Sequence, residues 1–479
     1  MSGTDRASSQ RPQANLRSQF VTRGKDEPMR KPPEIGTLRE LFVDDYLVAR
    51  MRGVRRVLHT PVKREVVFTA DQPFEDATTA YYNLFRDGDR IRMYYRGRMP
   101  GDDLSEQQAA NIAESADGIR FERPVLGLYE VNGSRENNVV WVGIESHNLF
   151  VFKDSNPACK APERYKAVGG SWQKLYGLVS PDGIRWRRIQ QEPLEVSGAF
   201  DSLNVAFWDS RMGCYRLFSR YFEAASDGTH VRAIQSAASD DFIGWSKPVP
   251  HQYPPGVPLE HFYTNATIPC PGAEHILLSF PKRFVPGRTK NTDGMLYPGE
   301  GISDCVFMSS RDGVYWERSF LEAWVRPGPD ERNWTHRSNM PACGIVETGP
   351  TEWSMYISEH YGWESNRLRR LTIRPWGFVS ARAGFSGGEL LTRPLLLAGK
   401  ELRLNYSTSA VGSVQVEILD ASGKPAEGFT LSDMRPLFGD ELDAPVAWKG
   451  GGDLSAFIGR SVRLRFVLKD ADLFSIRTI

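Results

Sequence analysis

Ser115-Ala116-Asp117-Gly118-Ile119-Arg120-Phe121 and Ser180-Pro181-Asp182-Gly183-Ile184-Arg185-Trp186 are one pattern written twice. Ser239-Asp240-Asp241-Phe242-Ile243-Gly244-Trp245 and Ser310-Arg311-Asp312-Gly313-Val314-Tyr315-Trp316 write it twice more. The four starts lie 65, 59 and 71 residues apart. Each copy has the chemistry of a hairpin turn: the aspartate caps backbone N–H groups, glycine supplies the awkward dihedral, and the aromatic folds back on a sheet. Repetition at this near-constant interval predicts a ring of similar small sheets.

Apolar runs precede each turn. They are 81–85 and 91–95, 147–152 and 164–168, 204–208 and 215–218, and 263–268 and 275–280. A fifth unit covers 339–343, 353–358 and 368–373 and has no aspartate turn. Its missing outer strand is expected from Leu41–Val48 or Val54–Leu58, which would close the ring and protect its sheet edges. After Gly377 the texture changes. Leu402–Tyr406, Val414–Ile418 and Val462–Leu468 alternate apolar and polar residues, as half-buried antiparallel strands do. The fold class read from these patterns is all-β, a five-bladed β-propeller followed by a C-terminal β-sandwich. The expected divisions are a disordered or extended arm at 1–35, the propeller at 36–378 and the sandwich at 379–479.

The chain has 479 residues, with 60 basic against 59 acidic side chains. So even a balance gives no field that draws nucleic acid or an anionic membrane, and neither is expected as a partner. The 12 Trp, 17 Tyr and 25 Phe suit β packing, and some of them suit stacking against sugars. Cys159, Cys214, Cys270, Cys305 and Cys343 are odd in number and without a C-x-x-C pair, so neither a disulfide framework nor a zinc site is expected. No metal or other cofactor is expected. No apolar leader opens the sequence, so a cytoplasmic location is expected for the chain as written, with export if a leader has been removed. The pattern says nothing of oligomeric state.

The aspartate turns resemble the Asp-boxes of sialidase-type propellers. Five units plus a C-terminal sandwich resemble the invertase, levanase and arabinanase type of glycoside hydrolase. The runs Leu41-Phe42-Val43-Asp44-Asp45-Tyr46, Phe200-Asp201-Ser202-Leu203-Asn204 and Ile357-Ser358-Glu359-His360-Tyr361 resemble a bacterial branch related to the invertase group. The Asn-Asp-Pro-Asn-Gly and Arg-Asp-Pro motifs of invertase are absent, so its catalytic residues are not carried over. The resemblance implies an oligo- or polysaccharide substrate, furanosides first among them, and hydrolysis of its glycosidic bond by two carboxyl groups in a central pocket.

Candidates for those carboxyls are Asp201, Glu359, Asp304 and Glu75, with Asp201 at the start of an innermost strand as the leading choice. Each also has an ordinary reading as a turn cap or ion-pair partner. Polar residues on innermost strands converge on the axis of a propeller, which makes Tyr82, His147, Asn148, Asn204, Asn265 and Asn339 candidate sugar ligands. Arg283 and Arg337 are candidate anion-binding forks, and Trp363 a candidate stacking platform. Two alternatives stay open. One is a sialidase-like hydrolase of an acidic sugar, for which Arg283, Arg337 and Tyr361 are the residues to compare. The other is a carbohydrate-binding propeller without catalysis.

Overall fold

The four aspartate turns fold alike. In the computed structural model, which describes residues 32–100, 108–290 and 292–479, Asp117 Oδ1 accepts from the N–H groups of Ile119 and Arg120 at 2.8 and 2.9 Å. Asp182, Asp241 and Asp312 accept from the corresponding pairs at 2.8 to 2.9 Å. The serine hydroxyl of each turn accepts the N–H three residues on, at Gly118, Gly183, Phe242 and Gly313. That fourth residue is left-handed, with φ of 74°, 77° and 75° at the glycines and 69° at Phe242. A side chain there costs about 1–2 kcal/mol. Phe242 offsets the cost by burying its ring completely, edge-on to Phe152 and Tyr215.

The turns sit within five four-stranded antiparallel sheets that follow one another along the chain. The first comprises Ala80–Asp87, Arg90–Arg98, Gln108–Ser115 and Val139–Val142. The second runs from Phe150–Lys153 to Arg187–Arg188, the third from Val205–Asp209 to Val249–Pro250, and the fourth from Thr267–Cys270 to Trp316–Glu317. The fifth holds Val346–Gly349, Glu352–Glu359 and Arg367–Ile373, and Val62–Thr69 completes it. A separate three-stranded sheet, His261–Thr264, Lys282–Val285 and Ile302–Cys305, extends the fourth unit.

Each turn latches onto the sheet before it. The Gly183 carbonyl accepts the Tyr94 hydroxyl of the first sheet at 2.9 Å, and the Gly313 carbonyl accepts the Ser236 hydroxyl of the third at 3.0 Å. Phe242 packs on Phe152 of the second. The Gly118 carbonyl, in the first sheet, accepts the Tyr356 hydroxyl of the fifth at 2.7 Å, so the order runs back to its start. Asparagines stitch the inner strands in the same order. Asn83 donates to Val151 O at 2.7 Å, Asn148 to Phe200 O and Asn265 to Leu203 O at 3.1 Å. Cys343, ahead of the fifth sheet, bridges to Asn83 of the first. This cyclic arrangement of small antiparallel sheets is a β-propeller.

The closing strand differs from the one expected. Leu41 pairs with Ser475, Val48–Arg52 pairs with Gly388–Thr392, and Val54–Leu58 pairs with Val379–Ala383, so all of them join the C-terminal sheet. Val62–Thr69 closes the ring instead, through Leu368↔Phe68 and Thr372↔Val62. The physical reason is exposure. An outermost strand faces water, and of Val62-Lys63-Arg64-Glu65-Val66-Val67-Phe68-Thr69 only Phe68 is buried. A search for apolar runs passes over such a strand.

Six C-terminal strands and four from Glu34–Leu58 share one continuous ten-stranded sheet. Leu402–Asp420 and Ser461–Thr478 form its spine, paired from Leu402↔Thr478 to Asp420↔Val462 with breaks at Asn405/Tyr406 and Thr408/Ser413. Alternate residues such as Leu404, Val416, Ile418, Leu464 and Phe466 fill one core. Glu34–Ile35 lies beside Leu395–Leu397 in the same sheet, so the end of the predicted N-terminal arm is a strand. Residues 1–31 of that arm lie outside the described residues.

Candidate functional site

The second strands of the first and third sheets, Arg90–Arg98 and Cys214–Ala224, each carry an arginine, Arg96 after Tyr94-Tyr95 and Arg220 after Phe218-Ser219. Both side chains are buried; Arg96 lines a cavity of about 450 Å³, and Arg220 lies over Tyr263, which lines it too. Tyr81, Arg96, His147, Asp201, Tyr263 and Arg337 are among the residues that line it. Asp201 is the only carboxylate in the lining among the described residues.

The cavity is built of cations and phenols. Arg337 donates to the Tyr361 hydroxyl at 2.8 Å and Arg96 to the same oxygen at 3.3 Å. Neither arginine forms an ion pair with a carboxylate among the described residues. Arg96 also lies over the ring of Tyr81 at 4.8 Å. Tyr81 is left-handed, φ 57°, at a bulge in its strand between Ala80 and Asn83, and the bulge aims it inward. Around the Tyr263 ring stand Lys282 at 3.8 Å, Arg220 at 5.2 Å, Arg232 at 5.3 Å and Arg337 at 5.8 Å. Arg220 pairs with Asp201. Lys282, fully buried, finds only the His336 carbonyl at 3.3 Å.

The field of these cations shows in four of their titratable neighbours. Burial, then Arg96, Arg337 and Arg220, push His147 down to about 3. Burial, then Arg337 and Lys282, push His336 down to about 3. Lys282 falls well below the ordinary lysine range through burial and the charges of Arg337, Arg232 and Arg220. For Tyr263 burial acts upward, but Arg337 and Arg220 outweigh it and lower the hydroxyl below the ordinary tyrosine value. A phenol so placed loses its proton more readily than an ordinary tyrosine and is a candidate nucleophile or base.

Of the candidates drawn from sequence, Asp201, His147 and Arg337 line this cavity. The others lie elsewhere. Glu359 is buried against Arg369, Arg367 and Lys63 at 2.9, 3.0 and 3.4 Å, and so ties the closing strand to the fifth sheet. Burial acts upward on its carboxyl, but Arg369, Lys63 and Arg367 hold it below the usual range. Asp304 takes a two-pronged bond from Arg283 at 2.9 and 2.6 Å, and Arg283 also reaches Glu260 at 2.8 Å. Glu75 takes both prongs of Arg123 at 2.8 Å and the Tyr95 hydroxyl at 2.6 Å. The two-carboxylate arrangement is thus not assembled in the lining.

The polar ring has a different use from the one expected. The side-chain amides of Asn148, Asn204, Asn265 and Asn339 donate to backbone carbonyls, those of Phe200 and Ser202, of the same two residues, of Leu203 and Phe218, and of Ser303 and Asn333. Tyr82 is buried between Phe68 and Tyr95. Trp363 lies beneath Arg332 at 5.8 Å, outside the lining. Tyr81, Arg96, Arg220, Tyr263 and Lys282 were not singled out. A signal for two of them exists: aligned on the repeat, Arg96 follows Ile91 and Arg220 follows Tyr215 by the same five positions.

No protein-family model and no curated protein sequence matches the chain. Solved structures that resemble it include an N-acetylgalactosamine deacetylase from F. plautii in complex with blood group B trisaccharide. It is 13% identical over 67% of this chain and 96% of its own, with a TM-score of 0.41. The Penicillium chrysogenum α-L-arabinanase complexed with arabinobiose is 9% identical over 66% and 99%, with a TM-score of 0.38. The β-1,2-mannobiose phosphorylase from Listeria innocua is 11% identical over 66% and 96%, with a TM-score of 0.39.

Proposed function

We propose that the protein is a glycoside hydrolase whose substrate carries an oxyanion, a carboxylate or sulfate, on the sugar held in the cavity. The observation that carries this reading is the positive charge of Arg96, buried, and Arg337, half-buried, both in the cavity lining and without a carboxylate partner among the described residues. An unpaired buried cation costs several kcal/mol, and a bound oxyanion removes the cost. Arg337 and Arg96 share one phenolic oxygen, a spacing that suits two donors to one acid group. A neutral furanoside leaves these groups unused, so the acidic-sugar alternative is preferred to the furanoside expectation.

The chemistry follows from the two reactive groups in the lining. Tyr263, as phenolate, attacks the anomeric carbon while the bond from that carbon to the leaving oxygen breaks. Asp201 gives the leaving oxygen its proton, then takes one from the water that releases the sugar from Tyr263. Arg220 pairs with Asp201 and fixes its carboxyl at the cavity wall.

The test is a screen of the intact protein against oligosaccharides and methyl glycosides of uronic, sialic and sulfated sugars beside neutral furanosides, with products analysed. Release of the acidic sugar, lost in Arg337→Met, is the expected result. Cleavage of neutral furanosides equally by wild type and Arg337→Met would overturn the reading. So would an unsaturated uronide as product, which marks elimination, or tight binding with no product.

A further inference from the structure

A second cavity of about 430 Å³ opens on the far side of Asp201. Asp201 and Trp172 line both cavities. The two differ in chemistry. Asp201 is the only charged side chain in the lining of the second, and Trp172, Gln173, Tyr221, Phe222 and Gln235 supply most of its wall.

Trp172 is the unusual residue. It sits at the tip of the hairpin between Tyr165–Ser171 and Lys174–Ser180, with Ser171 paired to Lys174. Its φ is 53°, left-handed, at a position that two-residue hairpins usually give to glycine or asparagine. Its side chain is 77% exposed, so folding gains little from the ring. Phe242 adopts the same strained backbone and offsets it by burial; Trp172 does not. What fixes Trp172 is a hydrogen bond from the N–H of Phe200 to its carbonyl at 2.6 Å. Phe200 immediately precedes Asp201, so the turn is tied to the proposed acid. Across from it Phe222 is 45% exposed, and Gln235 donates to the Ser197 carbonyl at 2.6 Å, its amide held at the wall. A strained and exposed aromatic beside a reactive group is a feature that function explains better than stability does.

We infer that this second cavity is the subsite for the leaving group, a neutral sugar ring whose apolar face stacks on Trp172. The inference rests on the hydrolase reading for its account of Asp201. The lining argues for a neutral occupant, since it offers aromatic faces and amides and no cation. The volume lies in the about 300–1,000 Å³ range of small-ligand sites. The bond to be cleaved then lies over Asp201, between an acidic sugar on the arginine side and a neutral one on the tryptophan side.

The experiment uses Trp172→Ala and Trp172→Phe in the full chain. Two substrates share the acidic sugar that the wild type cleaves: its methyl glycoside and a disaccharide with a neutral leaving sugar. Trp172→Ala is expected to raise KM for the disaccharide about tenfold, the scale of one lost aromatic contact. Its cost for the methyl glycoside, which does not reach the second cavity, is expected to be clearly smaller, and Trp172→Phe is expected to restore most of the disaccharide loss. Equal effects on both substrates, or none on either, would overturn the subsite. Should no acidic glycoside be cleaved, the hydrolase reading fails. The subsite is then decided by fluorescence titration with the methyl β-glycosides of glucose, galactose, mannose and N-acetylglucosamine. A response present in wild type and missing in Trp172→Ala upholds it, and no response to any of the four removes it.

Discussion

Arg283 and Arg337 are both half-buried, yet they live in opposite electrostatic worlds. Arg283 has two carboxylates, Asp304 and Glu260, which raise its already high proton affinity and consume its fork. Arg337 has a phenol at 2.8 Å, an Nε without a partner, and more cations nearby. The first arrangement is complete as it stands. The second is complete only with an anion. Function is therefore sought where the charge does not balance, rather than where carboxylates are most numerous.

That contrast can be broken by substitution. Arg337→Met is expected to lower kcat/KM on the acidic substrate by about 10²–10³, the scale for losing one preorganised donor, while the thermal midpoint holds or rises. Asp201→Asn is expected to cost about a hundredfold in kcat, the scale for losing acid–base catalysis, with KM little changed. Arg283→Met reverses the pattern. Leaving Asp304 without its partner and Glu260 with Arg318 alone should cost about 2 kcal/mol of stability by denaturant unfolding, and kcat per folded molecule should not move. If Arg283→Met removed activity at constant stability, the comparison would collapse.

Two smaller effects sharpen it. Tyr263 acts as phenolate, so kcat/KM should rise with pH through a value below the ordinary tyrosine 10. Arg232→Met takes one cation from the ring, moves that limb upward, and costs about tenfold at neutral pH that returns at high pH. The least effect belongs to another fully paired group. Burial raises the Asp472 carboxyl, but His59, Arg382 and Ser380 outweigh it and lower it from 3.8 to about 2. A depressed carboxyl stabilises the fold above its unfolded value and loses that contribution as pH falls through the folded one. About 1–2 kcal/mol should therefore vanish between pH 3.8 and about 2, and Asp472→Asn should flatten that acid limb in unfolding measurements.

The turns were legible in the sequence because their chemistry is local. Ser115, Asp117 and Gly118 contain the whole hydrogen-bonded unit, so four copies announce it. Asp201 was legible because it opens the strand counted inward from such a turn. The ring-closing strand was not, since Lys63, Arg64 and Glu65 read as surface and their partners lie about three hundred residues away. The asparagines were misread for a related reason. A carboxamide on an inner strand has one appearance in sequence, whether it faces a ligand or, as Asn265 does, a neighbouring backbone. Tyr263 and Lys282 were passed over because their significance is collective. One tyrosine or one lysine is ordinary, and only the fold sets four cations around a single ring.

The pairing of the first strands with the last has a consequence for how the chain is made. Glu40–Leu41 lies against Leu473–Thr478 territory through Leu41↔Ser475, and Val62–Thr69 waits for Arg367–Ile373. On a ribosome that adds about 5–20 residues per second, those early segments emerge roughly a quarter of a minute to a minute and a half before their partners do. Throughout synthesis the nascent chain therefore carries open β edges at its beginning. The charged side chains of Lys63, Arg64 and Glu65 are then the guard against wrong pairing, and the same residues that hid the closing strand from a hydrophobic search keep it single until the ring can shut.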